Sequence, residues 1–141
     1  MREFFDTSVL VAVFRRNHVH HERSLQRFVE ARQEHSTCAI HSLAEFYATL
    51  SALPDKPTLP PEQVFLFIQE IHQRLSPIVL DPEEYLQTIQ RTSESGLTSG
   101  KIYDALLLAC AAKSKAQVIY TWNLKHFRSI SPQLAPLIQT P

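Results

Sequence analysis

The sequence predicts an α/β fold, a mainly parallel sheet with helices on both faces. Two patterns lead there. Short runs rich in Val, Ile and Phe alternate with longer stretches whose apolar residues recur every three or four positions, the helical period. Acidic or amide residues also follow several of those runs, and groups just past the carboxyl ends of parallel strands converge on one edge of an open sheet. Repeats, low-complexity tracts and dividing linkers are absent, so residues 1–141 read as one domain.

Glu3-Phe4-Phe5 is the first predicted strand, closed by Asp6. Thr7-Ser8 is expected to cap a short helix, Val9–Phe14, that ends at Arg15-Arg16. A second helix is predicted over Val19–Arg32, with Leu25, Phe28 and Val29 facing inward. Thr37–Ile40 is the second strand. The third helix runs from Ser42 to near Leu53-Pro54, because the residue before proline resists helical geometry. Residues 54–61, rich in proline, form an exposed loop. Pro61 suits the first turn of a fourth helix, whose apolar stripe is Val64, Phe65, Ile68, Ile71 and Leu75.

Ile78-Val79-Leu80 is the third predicted strand. Asp81-Pro82-Glu83-Glu84 supplies the cap, first-turn proline and first-turn acids of a fifth helix, which fades by Gly96. A response-regulator phosphoacceptor at Asp81 is disfavoured, since the paired acids expected after strand one are missing. Thr98-Ser99-Gly100 leads into an apolar helix, Ile102–Ala112, and Val118–Thr121 is strand four. The tail, Ser131–Pro141, is expected to pack loosely over an edge.

Hydrophobic residues make up 44% of the chain, enough for a real core. Lys plus Arg and Asp plus Glu are equal at 14 each, so no overall basic field announces a nucleic-acid partner. A local basic rim still acts within a Debye length of about 8–10 Å. The start lacks the apolar core of a secretory signal, and no apolar run approaches the ~20 residues of a membrane span. Cys38 and Cys110 have no metal-ligand spacing; free buried thiols in a reducing cytoplasm are expected.

Asp6, Glu45, Asp104 and Asn123 are the candidate site. Each has a plain structural role available. Asp6 suits a helix cap. Ser42-Leu43-Ala44-Glu45 has the S-x-x-E spacing of a capping box. Asp104 gains from its helix dipole. Yet Asp104 stands among Ile102, Ala105, Leu106, Leu107 and Leu108, where a carboxylate needs a partner or a mouth to water. Clustered carboxylates raise one another's pKa, and a divalent cation relieves the repulsion. Mg²⁺ or Mn²⁺ fits such oxygen donors, and would bring hydrolytic phosphate chemistry.

Phe5-Asp6-Thr7-Ser8-Val9-Leu10, Ser42-Leu43-Ala44-Glu45-Phe46-Tyr47, Ile102-Tyr103-Asp104-Ala105-Leu106-Leu107 and Tyr120-Thr121-Trp122-Asn123-Leu124-Lys125-His126-Phe127 resemble, in order, the four motif blocks of the PIN domain. The match resembles VapC-type toxins of bacterial toxin–antitoxin pairs. The resemblance implies a three-layer α/β/α sandwich with a central, mainly parallel sheet of four to five strands. It also implies a cytoplasmic Mg²⁺- or Mn²⁺-dependent endoribonuclease leaving a 5′-phosphate, often a homodimer, inhibited by an antitoxin.

Carried over by position, Asp6, Glu45 and Asp104 match the family's acidic ligands. Asn123 stands where many members have a fourth acid, and an amide contributes no charge. Ser8 and Thr121 match hydroxyl positions that orient a ligand or water. Arg15, Lys101, Lys125 and Arg128 are the candidate RNA-phosphate contacts. Residues 17–22 look metallophilic, but their spacing fits no standard zinc site. Trp122 is a candidate for stacking on a base, against packing under the site. The alternative to an enzyme is a degenerate module that binds RNA or an antitoxin without turnover.

Overall fold

The computed structural model describes residues 1–141. Its elements run β1 (Glu3–Phe5), α1 (Thr7–Val13), α2 (His21–Glu30), β2 (Ser36–Ala39), α3 (Ile40–Ser51), α4 (Pro61–Arg74) and β3 (Ser76–Ile78), then α5 (Pro82–Glu94), α6 (Lys101–Lys113), β4 (Val118–Tyr120), α7 (Leu124–Ile130), a 3-10 turn (Ala135–Leu137) and β5 (Ile138–Gln139). The strands form one sheet in the order β3-β2-β1-β4-β5, and every pairing is parallel.

Alternation along the strands builds two cores. Phe5, Cys38, Val118 and Tyr120 face one side, beneath Val9, Leu10, Phe28, Phe46, Val64 and Ile71 from α1 to α4. Phe4, Ala39 and Ile119 face the other, beneath Leu107, Leu108 and Ala111 of α6 and Phe127 of α7. With α5 packed on α6, the result is the expected α/β/α sandwich. No helix is long and apolar enough to cross a membrane. Cys38 and Cys110 are free and buried, one in each core, and burial pushes their thiols up to about 12 and about 11.

Several elements differ from the sequence expectation. Helix α1 starts at Thr7, and of the two capping roles expected it is that of Asp6 that forms, its carboxylate accepting from Ser8 N, while Thr7 and Ser8 lie inside the helix. Helix α2 starts at His21 and turns Ser24 and Phe28 inward, leaving Leu25 and Val29 exposed. The S-x-x-E capping box does not form. Strand β2 passes directly into α3, so Ser42 already lies inside the helix, fully buried, and Ala39 takes the cap position with no side-chain bond. In α4, Phe65 points to solvent while Val64 and Ile71 are buried.

Strand β3 lies two residues earlier than predicted, pairing Ser76, Pro77 and Ile78 with Thr37, Cys38 and Ala39. Its partner becomes helical at Ile40, so Val79 and Leu80 have nothing to pair with. Helix α5 matches expectation: Asp81 and Glu84 form a reciprocal capping box, with both bonds at 2.8 Å. Gly96, at φ 73°, closes the helix as Gly96 N and Leu97 N bond back to Ser93 O and Thr92 O. The tail is not loose. Ile138 and Gln139 pair with Ile119 and Tyr120 as the fifth strand, and Ile138 is buried.

Candidate active site

Strands β1 to β3 step outward in one direction and β4 to β5 in the other, so the order reverses between β1 and β4. Ligands in open α/β sheets bind in the crevice outside the strand ends at such a switch point. Asp6 follows β1 there, and Thr121, Trp122 and Asn123 follow β4. Asp6 N donates to Tyr120 O at 2.9 Å, carrying the sheet bonding one residue past the strand.

A cleft of about 550 Å³ opens at this edge, lined among others by Asp6, Thr7, Ser8, Glu45, Asp104 and Asn123. Asp104 arrives from α6. Leu107, Leu108 and Ala111, three, four and seven positions on, fix the inward face of that helix. Glu45 arrives from α3, three residues after buried Ser42 and one before buried Phe46. Each acid therefore sits at the rim of a stripe that the core orients.

Asp6 is 2% exposed and carries the most elaborate support. Its Oδ2 accepts from Ser8 Oγ at 2.7 Å, Thr121 Oγ1 at 2.8 Å and Ser8 N at 3.3 Å. Those hydroxyls accept in turn from Trp122 N and Asn123 N, both at 3.0 Å. Burial raises the Asp6 pKa, and these hydrogen bonds to the charged form oppose the rise. Asp104 is half-buried and pushed up to about 6, first by desolvation and then by Asp6 and Glu45; His126 acts the other way. Thr7 Oγ1 lies 2.9 Å from Glu45 Oε1 and 2.8 Å from Ser42 Oγ, linking α1 to α3.

The acids share a cleft without closing into a cage. No group of three His, Cys, Asp or Glu side chains is arranged to hold an ion unaided. The Asn123 side chain is exposed at the start of α7 and makes no capping bond. Of the candidate phosphate contacts, Lys101 and Lys125 are exposed and unpaired. Arg15 pairs with Asp55 at 3.3 Å. Arg128 Nη2 donates to Ile138 O at 2.8 Å, clamping β5 to α7.

Sequence reasoning passes over Thr7 and Ser42, whose hydroxyls look like helix-start residues until the fold sets α1 beside α3. It also leaves aside His18 and His20, which line the cleft from the α1–α2 loop. His18 accepts from His20 N through Nδ1 at 3.1 Å, and burial and His20 lower its pKa. Trp122 packs against the first core, its Nε1 donating to Ser24 Oγ at 2.9 Å.

The model of the PIN domain matches residues 4–131. Ribonuclease VapC40 of Mycobacterium tuberculosis is 31% identical over 123 residues, covering 85% of each chain. Ribonuclease VapC27 of the same organism is 28% identical over 113 residues, covering 80% of this chain and 79% of the other. The crystal structure of VapBC2 from Rickettsia felis, bound to a DNA fragment from their promoter, includes a chain similar in fold. That chain has a TM-score of 0.67 and 19% identity, with 100% of this chain and 99% of the other covered. With four motif blocks meeting at one sheet edge and a family match over nearly the whole length, this chain belongs to the PIN domain family, within which it is similar to the VapC ribonucleases.

Proposed function

We propose that this chain is a Mg²⁺- or Mn²⁺-dependent endoribonuclease, the toxin of a toxin–antitoxin pair. The observation that carries this reading is the convergence of Asp6, Glu45 and Asp104 on one cleft at the sheet's switch point. Carboxylate and amide oxygens are hard donors and fit these ions. An open arrangement suits Mg²⁺, which keeps several waters beside one or two carboxylates. When bound, such an ion supplies activation of water and charge neutralisation at the phosphodiester.

The residues divide the work by environment. Asp6, fixed through Oδ2 by Ser8 and Thr121, is the rigid ligand. Asp104, whose pKa is raised first by burial and then by Asp6 and Glu45, would hold the cation where it otherwise holds a proton. Glu45, tethered by Thr7, completes the ligand set or positions water. Asn123 offers an amide oxygen without charge, which favours one tightly held ion over two. Exposed Lys101 and Lys125 are the proposed contacts to RNA phosphates.

An antitoxin is the proposed partner, in line with the paired assembly named for the Rickettsia felis structure. Exposed Ile40, Val79, Tyr85, Leu86 and Tyr103 provide apolar surface for it. A homodimer is also proposed. The exposed aromatics Tyr47 on α3 and Phe65 on α4 offer surface for it, while their neighbour Phe46 lies in the core and Phe67 packs against it.

The test is Asp6→Asn and Asp104→Asn, assayed on single-stranded RNA with Mn²⁺ or with chelator. Both variants should fold, and metal-dependent cleavage should fall by orders of magnitude. RNA binding by the wild type without turnover in Mn²⁺ would identify the degenerate module instead.

A further inference from the structure

His20 lies flat on Trp122, with ring centroids 3.6 Å apart and planes within 5° of parallel. The indole, and the loop that carries the imidazole, are both held in place. Trp122 Nε1 donates to Oγ of fully buried Ser24, fixing the indole. The loop that carries His20 is pinned by His18 N to Arg15 O at 2.9 Å, His21 N to His18 O at 3.1 Å and the His21 ring to Ala12 O at 2.9 Å. Between the two histidines, Val19 is 86% exposed, an apolar side chain held where it packs against nothing.

This stack belongs to the wall of the acidic cleft, which His18, Val19, His20 and Trp122 line together with Asp6, Glu45 and Asp104. The connection is short and runs through hydrogen bonds. Trp122 N donates to the same Ser8 hydroxyl that donates to Asp6 Oδ2, so one side chain links the Trp122 backbone to the buried acid. A π surface rimmed by Val19 and by the His18 ring, 5.7 Å from the His20 ring and tilted by 45°, next to oxygens suited to a cation, matches a ligand with a flat base attached to a phosphate. Metal binding by the histidines explains the cluster less well, since no three ligating side chains come together there.

We infer that the His20–Trp122 stack, rimmed by Val19, is a nucleobase subsite: a base flanking the scissile phosphate extends the stack on His20. The inference rests on the ribonuclease reading and adds where the substrate is gripped. An indole fixed in the free protein, under an imidazole on a pinned loop, loses little freedom on binding. Stacking is tolerant of sequence because every base has a π face, so the subsite grips single-stranded RNA rather than reading one letter.

Trp122 is the chain's only tryptophan and reports on its own site. Binding is measured in Ca²⁺, with the RNA checked for integrity, by tryptophan fluorescence and by anisotropy of end-labelled oligomers. The ligands are a single-stranded RNA and the same backbone with abasic residues. RNA should quench Trp122 and bind more tightly than the abasic chain. His20→Ala should weaken RNA binding about tenfold, leave abasic binding unchanged, and be rescued by His20→Phe. His20→Gln, which keeps a polar side chain but no ring, should behave like the alanine variant.

Equal affinity of the wild type for both ligands, or an intact preference for bases in the two ringless variants, overturns the subsite. Cleavage in Mn²⁺ is scored separately. Base-dependent binding without cleavage would remove the nuclease reading and leave the subsite standing.

Discussion

Thr121 Oγ1 donates to Asp6 Oδ2 across 2.8 Å, joining the residue after β4 to the residue after β1. Both are buried, so the bond has no water to replace it. Thr121→Val keeps the shape and deletes the donor. Leaving a buried carboxylate short of a partner costs about 1–3 kcal/mol, to be read as a lower urea midpoint at pH 7. Mn²⁺ should bind more weakly as well, because the Asp6 pKa rises further. Thr121→Ser should recover most of both; unchanged Mn²⁺ affinity in the valine variant would break the link between this bond and the site.

Asp104 gives the site a pH signature. Its folded pKa of about 6 lies above its ordinary 3.8, so the folded state binds the proton more tightly. The stabilisation is complete below pH 4 and is lost as pH rises through 6. Above that, the charged group opposes folding by about 1–2 kcal/mol after discounting for solvent screening. In chelator at pH 7.5, Asp104→Asn should therefore be more stable than the wild type, with the difference vanishing near pH 4. Denaturation at the two pH values measures it, and a less stable variant at pH 7.5 would refute the strain.

Adding Mn²⁺ at pH 7.5 should reverse that ranking. An ion that binds only the folded state stabilises it by about 2.7 kcal/mol at a hundred times its Kd. The wild type should gain in melting temperature, while Asp6→Asn and Asp104→Asn should gain little. Lowering the pH through 6 should remove most of the wild-type gain, since protons compete for Asp104.

Thr7 has one hydroxyl hydrogen and two acceptors within 3 Å, Glu45 Oε1 and Ser42 Oγ. The carboxylate is the stronger acceptor. Thr7→Val should free Glu45 to swing, lowering turnover by about tenfold with RNA affinity unchanged. Glu45→Gln should cost considerably more. Steady-state kinetics separate the two, and equal losses would assign Thr7 a role beyond tethering.

The two exposed lysines and the two arginines should part company. Arg128→Met removes a clamp on β5 and should lower stability by about 1 kcal/mol without altering RNA affinity. Lys125→Ala should weaken RNA binding and flatten its salt dependence. Titrations at two ionic strengths decide between them, and a reduced salt slope for Arg128→Met would return it to the RNA contacts.

Legibility followed the physics of each segment. Asp81-Pro82-Glu83-Glu84 could be read to the residue because a capping box is purely local. The Ser42–Glu45 spacing is identical in kind, yet β2 feeds α3 without a loop and moves the helix start to Ile40. That Asp6, Glu45 and Asp104 line one cleft follows from the motif blocks they belong to, since Asp6 and Asp104 sit where strand end and apolar helix make a carboxylate conspicuous. Helix α7 was not, having a single buried residue, Phe127, and no cap. Strand β5 is two residues long and takes its meaning from Ile119 and Tyr120, far back in the chain. The His20–Trp122 pairing crosses a hundred positions, and no local pattern announces it.

The strand that completes the crevice at residue 118 pairs with the one that begins at residue 3. A copy still being synthesised thus lacks one wall of its cleft, and Asp6 lacks Thr121, until most of the polypeptide has left the ribosome. A fragment released early lacks Thr121, Trp122 and Asn123 and with them that wall. On the proposed ribonuclease reading, the chain would therefore reach a cutting form only when its last stretch has been made.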